Sequence, residues 1–327
     1  MAALVTGASG LVGRHLVQTL VEHGQQVRAL SRRPLADARP AGAEGLSADV
    51  NDEAALVAAM AGIATVYHAA GVVPARGSAG MWETNVGGTC KVALASVRAG
   101  VRRLVLVSSV AAYRPPLDDV VPESAPTGGS DLYGRSKAEA EAGARRICRH
   151  ALELVIVRPC QIYGPGDGSG YTRRLLKLSA SPLLPVAGWS GRAFSLIHVR
   201  DVVAALHAAG EVGAAGSAVF NIAPESGVTL PELAHIHASL RRGRAGLRLP
   251  IPAVALRAAL SLRSMAAGRS QPGSPAWKSY AAGHTHGSLL LGGPLYDSSR
   301  ARAVLGFRAA TTLECGLSEL LARSGCE

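Results

Sequence analysis

A glycine-rich loop directly after the first apolar run constrains the fold of this chain more than any other feature. Ala2 to Thr6 has the pattern of a buried strand, Gly7-Ala8-Ser9-Gly10-Leu11-Val12-Gly13 follows it, and a helical pattern begins at Arg14. Glycines in such a loop let the backbone turn tightly and let a helix pack closely on the strand. The order of strand, glycine loop and helix therefore predicts the first unit of an α/β sheet.

Short apolar runs alternate with helix-length segments along the first half of the chain. The predicted strands are of the fully buried type and comprise Ala2 to Thr6, Val27 to Ser31, Thr65 to Ala69, Leu104 to Ser108 and Leu154 to Arg158. The predicted helices between them are Arg14 to His23, Glu53 to Met60, Met81 to Ala99 and Ser136 to His150. Parallel strands require crossovers of this length, so the pattern predicts a doubly wound parallel α/β sheet.

The regular alternation loosens after Pro159, which predicts a second, smaller lobe. We expect residues 1–160 to form a dinucleotide-binding domain, to which the chain returns at about 194–224. Ser195 to Val199 and Val219 to Ala223 are the apolar runs expected to rejoin the sheet. Residues 161–193 and 225–327 then form a mostly helical substrate lobe.

Composition narrows the class of protein. The chain has 327 residues, of which 48% are hydrophobic, so it can bury a large core. Its formal net charge is +11, but aromatic residues are only 4% and no basic run carries interleaved aromatics, which argues against a nucleic-acid partner. Five cysteines without a CxxC pair predict free thiols. Since no apolar run reaches about 18 residues, a cytoplasmic location is expected.

The basic residues are unevenly distributed. No carboxylate occurs from Leu233 to Tyr296, whereas Arg241, Arg242, Arg244, Arg248, Arg257, Arg263, Arg269 and Lys278 lie in that stretch. The region is also rich in Leu, Ala and Pro, which favours an apolar substrate pocket over a site for an anionic group. From Leu249 to Met265 we expect a helix that packs on the lobe core, and a membrane-surface helix is the less favoured interpretation.

Two pairs of histidines have a spacing that could present two imidazoles to a metal ion. His235 and His237, and likewise His284 and His286, are each separated by one residue. Neither pair has a neighbouring cysteine or carboxylate, so no metal site is predicted.

The glycine loop predicts a dinucleotide site, because free backbone N–H groups and the positive end of the helix dipole face the phosphates there. After the second strand the chain reads Ser31-Arg32-Arg33. An arginine at this place favours the 2′-phosphate of NADP, whereas a carboxylate would favour the ribose of NAD. The sequence therefore predicts NADP(H) over NAD(H), with Asp49 at the end of the third strand near the adenine.

Tyr133-Gly134-Arg135-Ser136-Lys137 places a phenol and an ammonium four residues apart, which is one turn of a helix. They lie one turn apart on the same helix face, where the ammonium stabilises the phenolate of a proton-transferring tyrosine. Ser108 and Ser109 end a predicted strand at the edge where open parallel sheets bind ligands. A serine hydroxyl at that edge is suited to stabilise a developing oxyanion.

Together these residues resemble the extended short-chain dehydrogenase/reductase family, which includes NAD(P)-dependent epimerases and dehydratases, dihydroflavonol reductases and 3β-hydroxysteroid dehydrogenases. The fold that this resemblance implies is of the Rossmann type. Besides Thr6 to Gly13, the similar landmarks are His68-Ala69-Ala70, Asn85-Val86-Gly87-Gly88-Thr89, Arg158-Pro159, Tyr163-Gly164-Pro165, Ile197-His198-Val199-Arg200-Asp201, Tyr296-Asp297-Ser298-Ser299-Arg300 and Leu305-Gly306-Phe307.

The resemblance implies roles for individual residues. Tyr133 is the acid/base, Lys137 holds the nicotinamide ribose, and Ser109 is the catalytic hydroxyl. Cofactor contacts are expected from the glycine loop and the strand ends, namely Gly7, Ser9, Gly10, Leu11, Val12, Gly13, Arg32, Arg33, Asp49, Val50, Ala69, Ala70, Gly71, Asn85, Val107, Ser108, Tyr133, Lys137, Pro159 and Ile162. Substrate contacts are expected from Val73, Ser109, Tyr163 and Phe194. A homodimer is also implied.

Two departures from the family pattern bear on the reaction. Val110-Ala111 stands where the dehydratases carry an Asp-Glu pair, so elimination of water is not expected. Phe194-Ser195 stands where nucleotide-sugar enzymes carry Arg-Asp, although Arg192 is near. We therefore expect an NADP-dependent oxidoreductase that interconverts a secondary alcohol and a ketone on an apolar small molecule, sterol-, terpenoid- or polyketide-like. A nucleotide-sugar epimerase and a cofactor-binding sensor without turnover are the alternatives.

Overall fold

The structure is a computed structural model that describes residues 2–34, 40, 42–73, 79–167, 170–188, 192–211, 217–256, 259 and 292–324. The strands of these residues are β1 (Ala2–Thr6), β2 (Gln26–Ser31), β3 (Ala43–Ser47), β4 (Thr65–His68), β5 (Arg103–Val107), β6 (Val120–Val121), β7 (Glu153–Pro159), β8 (Gln161–Tyr163), β9 (Leu183–Ala187), β10 (Leu196–His198), β11 (Ala218–Ile222), β12 (Leu247–Ile251) and β13 (Leu295–Tyr296).

A seven-stranded parallel sheet forms the centre of the molecule, in the order β11-β7-β5-β4-β1-β2-β3. The chain adds β2 and β3 on one side of β1, and then β4, β5, β7 and β11 on the other. The strand order therefore reverses between β1 and β4, and open α/β sheets bind ligands outside the carboxyl ends of the strands at such a point. The predicted doubly wound parallel sheet is confirmed, and its five predicted strands agree with the structure within one residue at each end.

Helices cover both faces of the sheet and continue into the lobe. They are α1 (Leu11–Glu22), α2 (Glu53–Ala59), α3 (Thr89–Arg98), α4 (Leu132–Cys148), α5 (Tyr171–Ser179), α6 (Val199–Glu211), α7 (Leu230–Leu240), α8 (Ser299–Leu305) and α9 (Leu313–Ser324), with a π-helix at Glu83–Gly88 and a 3-10 helix at Val110–Ala112. Side-chain caps define several starts: Asp52 accepts from the Ala55 N–H at 3.1 Å, and Asp131 accepts from the Gly134 N–H at 2.7 Å.

The late strands differ in part from the expectation. Val219 to Ala223 was expected to rejoin the sheet, and β11 does so beside β7. Ser195 to Val199 was expected to do the same, but this prediction is wrong, because β10 pairs with β8 in a separate two-stranded sheet. The physical reason is that β11 already occupies the backbone edge of β7, so β10 pairs with the short strand that follows β7.

A separate apolar core lies beyond the sheet. It is formed by buried side chains of α5, β9, α7 and α9, including Leu175, Leu184, Leu233 and Leu317. Its existence supports a lobe that begins after about residue 160, and we propose that this lobe comprises residues 161–193 and 225–327. The described cysteines, Cys90, Cys148, Cys160 and Cys315, are free thiols.

The segment from Leu249 to Met265 was expected to form one helix. Leu249 to Ile251 instead belong to β12, and helical backbone starts at Ala253. From residue 257 onward the segment lies outside the described residues except for residue 259, as do His284, His286 and the basic residues Arg257, Arg263, Arg269 and Lys278. No helix within the described ranges has the length and apolarity needed to cross a membrane.

Candidate active site

The glycine loop has a geometry that tolerates no side chain at two positions. Gly7 has φ 70°, and a Cβ atom there would lie 2.5 Å from the backbone nitrogen of Ala70. A Cβ atom on Gly13 would lie 2.2 Å from the carbonyl oxygen of Gly7. Because α1 begins at Leu11 without a side-chain cap from Gly10, the first N–H groups of that helix remain available for an anionic ligand.

Two adjoining cavities follow the carboxyl ends of the central strands. The larger has a volume of about 300 Å³ and the smaller about 100 Å³, and they share Gly10, Ala69, Gly71 and Val72. The predicted cofactor residues found in their walls are Gly7, Ser9, Gly10, Leu11, Val12, Arg32, Val50, Ala69, Ala70, Gly71, Val107, Ser108, Tyr133, Lys137, Pro159 and Ile162. The structure thus brings most of the predicted contacts together in one elongated cleft at the point where the strand order reverses.

The smaller cavity lies at the end of β2. Arg32 and Ser31 line it together with Val50, and no carboxylate is among its described lining residues. Arg33 is exposed and does not line either cavity. Asp49, expected near the adenine, is not among the described lining residues of either cavity, and its carboxylate accepts from the Asn51 N–H at 2.8 Å, as a turn residue does.

The larger cavity contains Ser109, Tyr133 and Lys137. Ser109 follows β5 and its hydroxyl oxygen accepts from the Ala111 N–H at 3.1 Å. The Ser109 hydroxyl can still donate its own hydrogen, and its partner in the cavity is the Tyr133 phenol. Burial raises the pKa of Tyr133 to about 12, although the hydrogen bond with Ser109 opposes the increase.

Lys137 is one turn beyond Tyr133 on α4, and its side chain is only 8% exposed. Its ammonium donates to the Val107 carbonyl at 3.0 Å and lies 6.0 Å from the centre of the Tyr133 ring. Burial lowers the pKa of Lys137 to about 8, while the negative charge of Glu141 acts in the opposite direction. The amine is therefore mostly protonated at neutral pH but close to its titration range.

Ser108 is held by a buried ion pair beneath the cavity. Its hydroxyl donates to Glu141 at 2.6 Å, and Arg158 donates to both oxygens of the same carboxylate at 2.9 and 2.6 Å. The Arg158 guanidinium also lies 4.6 Å from the centre of the Tyr113 ring. Since the Ser108 hydroxyl hydrogen is used in this network, Ser109, whose hydroxyl lies beside Tyr133 in the larger cavity, is the serine placed to meet a substrate oxygen.

Asn85 lies in the π-helix and does not line the cavities. Its side-chain oxygen accepts from the Val72 N–H at 2.7 Å, and its amide nitrogen donates to the Val72 carbonyl and to the Ser136 hydroxyl, each at 3.0 Å. Asn85 therefore connects the segment after β4, at Val72, to the N-terminal part of α4, at Ser136. A π-turn inside a helix is a feature often found at functional sites.

His68 is a buried histidine at the end of β4 that connects this strand to β1 and α3. Its two ring nitrogens contact the hydroxyls of Thr6 at 2.7 Å and Thr89 at 3.0 Å. Burial lowers the pKa of His68 to about 3, and the charge of Lys137 adds to this effect. The imidazole is thus neutral and links β1, β4 and α3.

Two predicted substrate residues do not line the cleft. Phe194 is buried in the lobe core. Tyr163 is buried there as well and packs edge-on against His198, with ring centres 5.0 Å apart. Val73 and Ser109, the other two predicted substrate residues, do line the larger cavity.

Arg192, which lies near the position of the diphosphate-binding arginine of nucleotide-sugar enzymes, is exposed and pairs with Asp119 at 3.3 Å. It is not among the described lining residues of either cavity. The histidine pair of α7 is split between environments, since His235 is exposed while buried His237 contacts the Ser179 hydroxyl at 2.7 Å.

The sequence did not single out several residues of the cleft. Cys160, Gln161 and Asp167 line the larger cavity, and Val72 lines both. Cys160 and Gln161 lie between the predicted residues Pro159 and Ile162, so their position in the chain was a usable signal. Asp167 gave no such signal, because its place depends on the loop between β8 and α5.

Comparison with known proteins agrees with this arrangement. Residues 3–223 match the profile of the NAD dependent epimerase/dehydratase family. Ceramide reductase of Caulobacter vibrioides is 34% identical over 260 residues, which are 78% of this chain and 76% of that protein. The 3 beta-hydroxysteroid dehydrogenase/Delta 5-->4-isomerase of Mycobacterium tuberculosis H37Rv is 33% identical over 181 residues, or 50% of this chain and 48% of that protein.

Among solved structures, MoeE5 in complex with UDP-glucuronic acid and NAD superposes with a TM-score of 0.74 at 27% identity, covering 99% of this chain and 100% of that one. The family match spans more than half of the chain and includes the glycine loop, Ser109, Tyr133 and Lys137. The resemblance inferred from the sequence is confirmed, and the chain belongs to the NAD dependent epimerase/dehydratase family, the NAD(P)-dependent enzymes of the extended short-chain dehydrogenase/reductase type.

Proposed function

We propose that this protein is an NADP-dependent oxidoreductase that interconverts a secondary alcohol and a ketone on a largely apolar, lipid-like small molecule. The observation that carries the proposal is the convergence of Ser109, Tyr133 and Lys137 on one cavity that continues into the glycine-loop cavity. A hydroxyl donor, a phenol and an ammonium in this arrangement are the groups that proton transfer to a carbonyl oxygen requires.

The cleft fits a dinucleotide cofactor. Gly7 and Gly13 allow the tight turn and the close packing of α1 on the loop, because a Cβ atom at either would collide with backbone, and the uncapped start of α1 offers N–H groups to a pyrophosphate. Gly10 and Leu11 would hold the phosphates, Arg32 the adenosine ribose, and Lys137 the nicotinamide ribose. A bound nicotinamide cofactor supplies or accepts the hydride at the carbinol carbon.

The residues of this chain account for the proton. With a pKa raised by burial to about 12, Tyr133 carries its proton at neutral pH and can donate it to the carbonyl oxygen during reduction. The Ser109 hydroxyl donates to the same oxygen as negative charge develops on it. The Lys137 ammonium, close to the Tyr133 ring, then stabilises the phenolate that remains. In the oxidation direction the same proton returns to Tyr133.

The substrate class follows from the cavity walls and from two relatives. Val72, Val73 and Ile162 contribute apolar surface to the larger cavity, which Gln161 and Asp167 line as well. The names of ceramide reductase and 3 beta-hydroxysteroid dehydrogenase both indicate an oxygenated carbon within a lipid. An apolar ketone or secondary alcohol is therefore the substrate class that we propose.

Replacing Arg32 with Asp is expected to change the cofactor preference from NADPH to NADH. Arg32 lines the adenosine end of the cleft, and one charge-assisted hydrogen bond to a 2′-phosphate contributes about 1.5 to 3 kcal/mol, roughly ten- to a hundredfold in affinity. Fluorescence titration of both cofactors measures this. The matched control is Arg33→Asp, which changes the same charge outside the cavity. Tighter binding of NADH than NADPH by the wild-type protein would contradict the proposal.

A nucleotide-sugar epimerase is the second candidate, favoured by the structural likeness to MoeE5 bound to UDP-glucuronic acid. The exposed pairing of Arg192 with Asp119 and the burial of Phe194 give this candidate no diphosphate ligand at the position considered in the sequence. A cofactor-binding protein without turnover is the third candidate, and the presence of Ser109, Tyr133 and Lys137 in one cavity argues against it.

A substrate screen separates these candidates. We expect steroid, long-chain or terpenoid ketones to cause consumption of NADPH, which is measured as the loss of its absorbance. In calorimetry we expect no heat of binding with UDP or UDP-sugars. Micromolar binding of UDP that is lost in Arg192→Ala would replace our proposal by the epimerase. Absence of turnover with every ketone, despite binding of NADPH, would favour the silent cofactor-binding protein.

A further inference from the structure

An apolar face on the substrate lobe lies outside the cleft. β9 and β12 form a two-stranded parallel sheet in which Leu183 is paired with Leu247, and Pro185 with Leu249. Side chains at alternate positions of a strand share one face, so Leu183, Leu247 and Leu249 lie on the same side of this sheet. We call these three residues the β9–β12 face.

The two sides of this small sheet have opposite environments. On the inner side Leu184 is fully buried in the lobe core. On the outer side Leu183 is 56% exposed, Leu247 75% and Leu249 48%, and Val254 shortly after β12 is 79% exposed. Single exposed leucines are common on protein surfaces, but three on one face of one small sheet form a patch that marks an interaction surface.

Positive charge accompanies this face. Arg241, Arg242 and Arg244 lie between α7 and β12, whereas Arg248 within β12 is paired with the buried Leu184 and therefore belongs to the opposite side of this sheet. All four are exposed, and none forms an ion pair with a carboxylate of the described part of the chain. No carboxylate occurs in the sequence from residue 233 to residue 296, so the local charge is uncompensated along the chain.

We propose that the β9–β12 face, with the arginines around it, binds the surface of an anionic phospholipid bilayer. Leucine side chains insert into the boundary between head groups and acyl chains, and arginines pair with lipid phosphates, so this combination matches the chemistry of such a surface. A polar protein partner would match the arginines but not the leucines, and a purely apolar partner would leave the guanidinium groups without counter-charges.

The consequence for catalysis rests on the proposed function. An apolar ketone or alcohol partitions into a bilayer, and an enzyme held at that surface meets its substrate at a higher local concentration than in solution. The sequence made a membrane-surface helix the less favoured interpretation of Leu249 to Met265. In the structure the apolar surface that we propose for membrane binding is a strand face and not a helix.

The test is flotation of the purified full-length protein with vesicles, without substrate. We expect binding to vesicles of phosphatidylglycerol mixed with phosphatidylcholine, little binding to phosphatidylcholine alone, and loss of binding as salt increases because the lipid charge is screened. The double variant Leu247→Ser/Leu249→Ser and the triple variant Arg241→Gln/Arg242→Gln/Arg244→Gln should each bind at least about tenfold more weakly.

A matched control carries the same kinds of change elsewhere. Val304→Ser with Arg308→Gln removes an exposed valine and an exposed arginine outside the face, and should leave vesicle binding unchanged. Unfolding curves for all variants exclude misfolding as the cause of lost binding, and the charge variants leave the lobe core untouched. If the face instead joins two copies of this chain, the Leu247→Ser/Leu249→Ser variant would change the sedimentation coefficient without changing vesicle binding.

Equal vesicle binding by the wild type and the face variants, or no binding by the wild type, would overturn this inference. Neither result would affect the proposed function, because reduction of a soluble ketone is measured without vesicles. Conversely, vesicle binding without turnover of any ketone would leave the surface assignment in place and remove the proposed activity.

Discussion

Replacing Tyr133 with Phe is expected to lower kcat for the interconversion of ketone and alcohol by about 10²- to 10⁴-fold, the usual contribution of a positioned general acid or base. The phenylalanine ring keeps the packing of Tyr133 against the cavity but lacks the proton that Tyr133 carries beside Ser109. Steady-state consumption of NADPH with the ketone identified in the screen measures the effect.

Cofactor affinity provides the internal control for this variant. The Lys137 ammonium remains bonded to the Val107 carbonyl, so Tyr133→Phe should bind NADPH about as tightly as the wild type. Lys137→Ala should reduce both turnover and cofactor affinity, because that ammonium is proposed to serve both the ribose and the phenolate. A Tyr133→Phe enzyme with a nearly wild-type rate would show that another group transfers the proton.

The fold was largely predictable because its strands are buried on both faces. Such strands read as continuous apolar runs, as Leu104 to Ser108 and Leu154 to Arg158 do, and their ends agree with the structure within one residue. The glycine loop was equally informative, since Gly7 and Gly13 are held by backbone contacts that no other residue permits. Ser195 to Val199 was misplaced because an apolar run does not reveal which strand edge is free.

The cleft was predictable where its residues follow strand ends, and less so where they come from the lobe. Ser109 and Ala69 were found because the carboxyl end of every parallel strand lies at the same edge. Tyr163 and Phe194 were placed at the substrate by family resemblance alone, and the packing of the lobe buries them. Asp167 was not predicted, because the loop that carries it has no periodic pattern from which its position could be inferred.

The buried ion pair of Glu141 and Arg158 could not be predicted from the sequence. Arg158 was noted only as a landmark and Glu141 not at all, yet the two side chains are both buried and bond each other at 2.6 and 2.9 Å. A charged residue in a helix of this kind is usually at the surface, so the pattern of α4 gives no sign of the partner on β7. Their pairing joins the helix of Tyr133 and Lys137 to the sheet beneath the cleft.

Replacing Glu141 with Gln is expected to lower the free energy of unfolding by about 3 to 5 kcal/mol, because the Arg158 cation remains buried without its counter-charge. The substitution should also affect Lys137. Burial lowers the pKa of Lys137 to about 8, and the negative charge of Glu141 keeps that pKa from falling further. Without that charge the pKa of Lys137 falls further. An amine is protonated only below its pKa, so the loss of activity at high pH should begin at a lower pH than in the wild type.

The double variant Glu141→Gln/Arg158→Gln separates the two effects. It removes the unpaired cation while keeping groups that can hydrogen-bond with Ser108, so it should regain about 1 to 3 kcal/mol of the unfolding free energy lost in Glu141→Gln alone. The charge beside Lys137 stays absent, so the pH profile should remain shifted to lower pH although stability returns. Urea unfolding and pH profiles of kcat/KM measure the two responses separately. Recovery of both together would mean that Glu141 acts on the cleft only by keeping α4 folded against β7.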